Sequence, residues 1–303
     1  MMTDTPSAAL QHRIGVDGLL VVRLEEGDID LIGIDGEAVT VRPDGRDSAD
    51  GLTLERGDRS LAISAGRGST PDDLAIELPT GATVVVESRS GDIAAARLSG
   101  DVRITTGSGD VTIRDTAGTL AVEAVSGDVR IESSTELDAV ARTVSGDLGV
   151  RVALLRSAQL ATTSGDLAIA AAFADDGTFR IETVSGDTTI EALSRVRVEA
   201  TTLTGDIHGP SAGGRDDHPR GTVVVGSTSG PTVAFRSTSG DLSLRVAEAS
   251  APSSLAAAEP APPLEPEADP ELDVLRALER GEIDVDEAGH RLNALDHEGV
   301  RDA

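Results

Sequence analysis

Between residues 81 and 246 apolar and polar residues alternate with period two in short runs, and most runs end in the same triplet. The runs read LSGDVRI, GSGDVTI, VSGDVRI, VSGDLGV, TSGDLAI, VSGDTTI, LTGDIHG and TSGDLSL. Alternation at period two is the mark of strands that bury one face. The triplet glycines are Gly91, Gly100, Gly109, Gly127, Gly146, Gly165, Gly186, Gly205, Gly230 and Gly240, an underlying period of about 19 residues with an occasional triplet halfway.

Aligning the repeats on the glycine sharpens the pattern. Seven places before it stand Val84, Val102, Leu120, Ala139, Ala158, Phe179, Val198, Val223 and Val233. Five before it stand Val86, Ile104, Val122, Ala141, Leu160, Ile181, Ala200, Val225 and Phe235. Three before it the residue is mostly Thr or Ser, and apolar residues return two and four places after it, as in Val129 and Ile131. Each period therefore holds two short strands and two turns. Columns that recur at every second strand predict an all-β fold, a parallel β-helix-like β-solenoid with about 19 residues per coil. An antiparallel meander shares the strand lengths but does not require that identity. The span holds about nine coils, a rod on the order of 40 Å long at the usual strand spacing. The threonine column is expected to point inward, its hydroxyls bonding to one another or to backbone.

The triplet itself reads as a turn. Gly supplies a positive φ, and Asp and Ser accept hydrogen bonds from nearby amides. Structural turns are thus assigned to the glycines above and to Asp128, Asp147, Asp166, Asp187 and Asp206. The alternative is calcium, since a column of stacked carboxylates invites a cation. Calcium asks for six to eight oxygens, and one carboxylate per coil is a thin supply. No cofactor and no metal is expected.

The flanks differ from the repeat. Residues 1–15 read as a disordered N-terminus. Residues 16–80, with the triplet-like Glu26-Gly27-Asp28, continue the solenoid irregularly and are expected to cap its end. DIHGPSAGGRDDHPRG, residues 206–221, reads as an insertion bulging from one coil, although His208, Asp216, Asp217 and His218 are ligand types. His12, His290 and His297 suggest no catalysis. Residues 247–268 form a Pro- and Ala-rich linker. Residues 269–297 read as a helical hairpin: Pro270 opens one helix, Gly281 ends it and Asp284 caps the next. Leu275, Leu278, Leu292 and Leu295 lie on its apolar faces and are candidates for docking a partner or a second copy.

Composition narrows the function. The 303 residues include three Phe, no Tyr, no Trp and no Cys, so stacking platforms for bases, disulfides and thiolate chemistry are excluded. Every one of the 26 basic residues is Arg, against 53 acidic ones, and the net charge of −27 argues against nucleic acid and anionic membrane as partners. No apolar run approaches the length of a membrane span or signal segment, so a cytoplasmic location is expected.

The triplet repeat, with GDIDLIGIDGEAVTV near its start, resembles the bacterial putative-adhesin family of unknown function, related to toast-rack and head-GIN domains, over roughly residues 16–246. The resemblance implies a β-solenoid, and some members are linked to cell-envelope stress responses. LRALERGEIDVDEAGHRLNAL resembles a helical hairpin of the short C-terminal domain type, with Val285 where Thr is usual and Asp286-Glu287-Ala288 in place of a double Glu. The chain lacks the export signal that an adhesin needs. Function is therefore read as a non-catalytic scaffold for protein–protein interaction with an unidentified partner. A calcium-dependent adhesive module and a polysaccharide-active enzyme are the alternatives.

Overall fold

In the computed structural model, residues 10–44, 52–65, 73–210 and 222–246 are described, and all their regular structure is β. The linker and hairpin expected over residues 247–297, with Leu275, Leu278, Leu292 and Leu295, lie outside the described residues.

The aligned columns of the sequence are stacked strands. Thr83–Ser90 pairs in parallel with Val102–Ser108, which pairs with Gly118–Ser126, with Val102 against both Val84 and Leu120. The stack continues through Ala139, Ala158 and Phe179 in the same register. The strand after each triplet builds a second parallel stack, with Val111 on Val129, Val129 on Leu148 and Leu148 on Leu167. Each coil contributes one strand to each stack. The inward side chains of both are mostly buried aliphatics, joined by buried threonines such as Thr106, Thr143 and Thr188 and by the aromatics Phe173, Phe179 and Phe235. Such a core needs an apolar side chain at every second position, which the alternation supplies.

In two coils the second turn does not break the strand. Val129–Ser145 and Leu148–Ser164 each run 17 residues from one stack into the other, with register irregularities at Ser133–Glu136 and at Val152–Leu154. The first turn, at the triplet, is sharp in every coil that carries it.

Both ends depart from chain order. At the N-terminal end, Leu19–Glu26 lies between Ser60–Ala65 and Thr83–Ser90, so the coil formed by residues 60–79 sits outside the one formed by residues 19–34. At the other end, Thr232–Ser239 inserts between Phe179–Ser185 and Arg197–Thr204, which makes residues 197–208 the terminal coil. Antiparallel strands close both ends. Leu52–Arg56 pairs with Ser60–Ala65, Ala38–Asp44 with Asp73–Pro79, Leu10–Arg13 with Ala38–Asp44, and Thr222–Gly226 with Arg197–Thr204.

Three expectations change. Leu10–Arg13, placed in the disordered N-terminus, is a strand. Val223 and Val225, aligned with the coil columns through Gly230, belong to the antiparallel cap instead. The described residues between 81 and 246 form eight coils rather than nine, their first strands starting at Thr83, Val102, Gly118, Leu137, Ala158, Phe179, Arg197 and Thr232. The coils starting at Leu19 and Ser60 are added from the N-terminal segment.

Candidate functional site

The triplet turn is built backbone on backbone. Gly127 has φ +123° and Gly146 φ +138°, and a Cβ placed on Gly146 would lie 2.2 Å from the carbonyl oxygen of Gly127 one coil away. The glycine is thus required for conformation and for space. The same holds at Gly91, Gly109, Gly165, Gly186, Gly205 and Gly240. Gly100 does not belong to this column. Its φ is not positive and it packs on the carbonyl of Ala82, in the opposite turn of the coil.

The aspartate of the triplet holds the next coil. The backbone N–H of Asp128 donates to Asp110 Oδ1 at 2.9 Å, that of Asp147 to Asp128 at 2.8 Å, that of Asp166 to Asp147 at 2.8 Å and that of Asp187 to Asp166 at 2.8 Å. The chain of bonds runs the length of the stack, from Asp73 through Asp28, Asp92 and Asp110 to Asp187, Asp241 and Asp206. It follows spatial order, so Asp241 precedes Asp206. Asp73 has no triplet around it and no sequence signal. Each carboxylate before Asp206 offers one oxygen to the amide of the next coil.

The threonine column is inward and buried, but its hydroxyls do not bond to one another. Thr106 donates to the carbonyl of Ser108 at 3.1 Å and Thr202 to that of Thr204 at 3.1 Å. The hydroxyls of Thr143, Thr183 and Ser237 find no partner among the described residues.

The outer face beside the triplet turn carries a feature that period-two alternation assigns to the polar side. Val125, Val144 and Val184 are 57%, 51% and 48% exposed, and Leu203 is 74% exposed. All stand two places before a triplet glycine, so they share one column. Next to them, Ala161 takes the place that Arg142 and Glu182 occupy on the neighbouring coils. The small side chain leaves a groove of about 510 Å³ that Val125, Val144 and Val184 border. A second groove of about 510 Å³ lies on the other stack, over Gly149, Ala168 and Ala170 and between Arg130 and Arg151.

Surface charges pair across coils. Arg23 bonds Glu87 at 2.9 Å and Arg42 bonds Glu77 at 2.7 Å, which holds the Glu77 carboxyl below its ordinary value. At Asp138 burial pushes the carboxyl up, but hydrogen bonds from Arg156 and Ser157 and the Arg156 charge outweigh it, so the group titrates below its ordinary value. His12 meets the Gly57 carbonyl at 2.8 Å within the N-terminal cap. His208 stands beside Asp206 and Asp241, whereas Asp216, Asp217, His218, His290 and His297 lie outside the described residues. No helix among the described residues is long and apolar enough to cross a membrane.

Comparison with known proteins places these features. A family model described as Toastrack DUF4097 matches residues 22–245. No curated protein matches the sequence. Among solved structures, one described as a putative adhesin from Bacteroides fragilis aligns over 79% of this chain and 96% of its own at 13% identity and a TM-score of 0.47. A putative adhesin from Parabacteroides distasonis aligns over 78% and 96% at 12% identity and a TM-score of 0.40. A putative cell adhesion protein from Clostridium sporogenes aligns over 79% and 99% at 12% identity and a TM-score of 0.30.

Proposed function

We propose a function from one premise: the chain belongs to the family described as Toastrack DUF4097. It acts as a non-catalytic display scaffold that binds a protein partner along the column Val125, Val144, Val184 and Leu203. The observation that carries this reading is the exposure of that column, aliphatic side chains held out toward solvent, with Thr163 and Thr238 at the same place on the intervening coils. An exposed apolar patch rimmed by charge is what a protein interface offers. Here the rim is Glu123, paired with Arg142 at 3.5 Å, and Glu182, which lies 3.9 Å from Arg236. The hydrogen-bonded turn beside the column fixes its spacing, so the row is pre-organised and loses little entropy on binding. The setting we propose is adhesion-like recognition or an envelope stress response, where the chemistry asks for a surface rather than a reaction centre.

The test is a capture experiment with the full chain and with a Val144→Asp/Val184→Asp variant, followed by titration of the purified captured protein. The reading expects a partner that binds wild type and loses at least about tenfold in affinity to the variant, as for residues at the centre of an interface. Equal binding by both would move the interface elsewhere.

A second reading, a calcium-dependent module, has one observation in its favour: the aspartates of the column stack coil upon coil in one line. It predicts stabilisation by calcium, which the display reading does not require.

A further inference from the structure

The reversal of chain order at the C-terminal end has a chemical result. It sets the coil of residues 197–208 against the strand Leu242–Val246, with Ile207 on Leu242 and His208 on Ser243. Residues 35 apart in sequence then meet: ligand atoms of Asp206, His208 and Asp241 all lie within 4.8 Å of one another, on the surface.

Two observations set this trio apart from the rest of the aspartate column. Asp206 is the last member. Its N–H donates to Asp241 Oδ1 at 2.8 Å, but the next strand, Thr222–Gly226, is antiparallel and brings no further aspartate amide. Among the described residues, the Asp206 carboxylate therefore accepts none of the amide bonds that occupy the others. The second observation is the histidine. Two places after the triplet aspartate the other coils carry Arg130, Gly149, Ala168, Thr189 and Ser243, and only the terminal coil places an imidazole there. A column of carboxylates alone favours hard cations. One imidazole nitrogen with two carboxylates is a donor set for zinc and similar divalent transition ions. The remaining aspartates add a negative field behind it.

We propose that Asp206, His208 and Asp241 bind one divalent transition-metal ion, with water completing its coordination. Asp206 and His208 come from the terminal coil and Asp241 from the coil beneath it, so the ion cross-links the two coils whose order is reversed. The site is distinct from the calcium reading of the column, because it is single and depends on the imidazole.

Calorimetric titration of the metal-stripped full chain with zinc chloride tests it. The expected result is saturable binding of one zinc ion per chain, weakened at least about tenfold by His208→Ala and by Asp206→Asn and unchanged by His218→Ala. Asp206→Asn is the cleaner variant for folding, since among the described residues no amide donates to that carboxylate; circular dichroism and the thermal midpoint verify both variants. Absence of saturable zinc binding overturns the proposal. So does a dissociation constant that either folded variant leaves within about threefold of wild type.

Discussion

Gly146 and Asp166 show what single residues contribute. At Gly146 a methyl group meets both a positive φ and a carbonyl oxygen 2.2 Å away, and that oxygen is backbone, so nothing can swing aside. Gly146→Ala is expected to destabilise the chain by at least about 2 kcal/mol in urea unfolding, whereas Gly149→Ala, whose Cβ meets nothing nearer than 4.0 Å, leaves the midpoint nearly unchanged. Asp166 gives one oxygen to the Asp187 amide. Asp166→Ala strands that donor and is expected to cost about 1 kcal/mol. Asp166→Asn keeps the acceptor and removes one charge from a crowded column. It is therefore expected to be at least as stable as wild type at low salt, with any gain shrinking as salt screens the repulsion. Asp138 makes a pH-dependent contribution. Its folded pKa is depressed below the ordinary 3.8, so its stabilisation is complete above that value and is lost as pH falls through the folded pKa. Arg156→Met should unfold more easily than wild type at neutral pH, with the gap closing in acid; a gap independent of pH would contradict the assignment.

At the scale of the element, the coils were legible and the ends were not. Parallel stacking in register sets like on like, so buried columns such as Leu120, Ala139 and Ala158 show directly as sequence periodicity. Spatial order leaves no such trace. Thr232–Ser239 would fit the register on either side of Arg197–Thr204, and which side it takes depends on the cap that Thr222–Gly226 supplies. Asp73 was illegible because no Ser-Gly-Asp triplet surrounds it, and Gly100 misled because the opposite turn uses the same letters. The exposed valines stand two places before the glycine, where alternation already turns a side chain outward, but a pattern that reads that face as polar gave no sign that it would carry aliphatics. The caps carry a prediction of their own. Val223 pairs with Ala200 across the terminal antiparallel ladder, with its N–H toward Arg197–Thr204. Val223→Pro removes a ladder amide and uncovers the edge of Arg197–Thr204, which invites strand pairing with another copy. Concentration-dependent larger species in size-exclusion chromatography are expected from this variant beyond any formed by wild type, and identical elution of the two would refute the capping role.

At the scale of the whole molecule, the described coils form a stack whose spine is the hydrogen-bonded aspartate column and whose faces are free to vary. A spine satisfied by its own amides needs no ion to stand, and the proposed function puts recognition on the faces. The central claim is thus that the repeated Ser-Gly-Asp triplet is structural and that function lies on the outer surface beside it. Differential scanning calorimetry of the full chain, in chelator and then in excess calcium, tests this most directly. The account predicts the same thermal midpoint in both. Calcium saturating the column at about a hundred times its dissociation constant would raise the midpoint by roughly 5 °C or more, and such a rise would make the triplet a binding site and contradict the account.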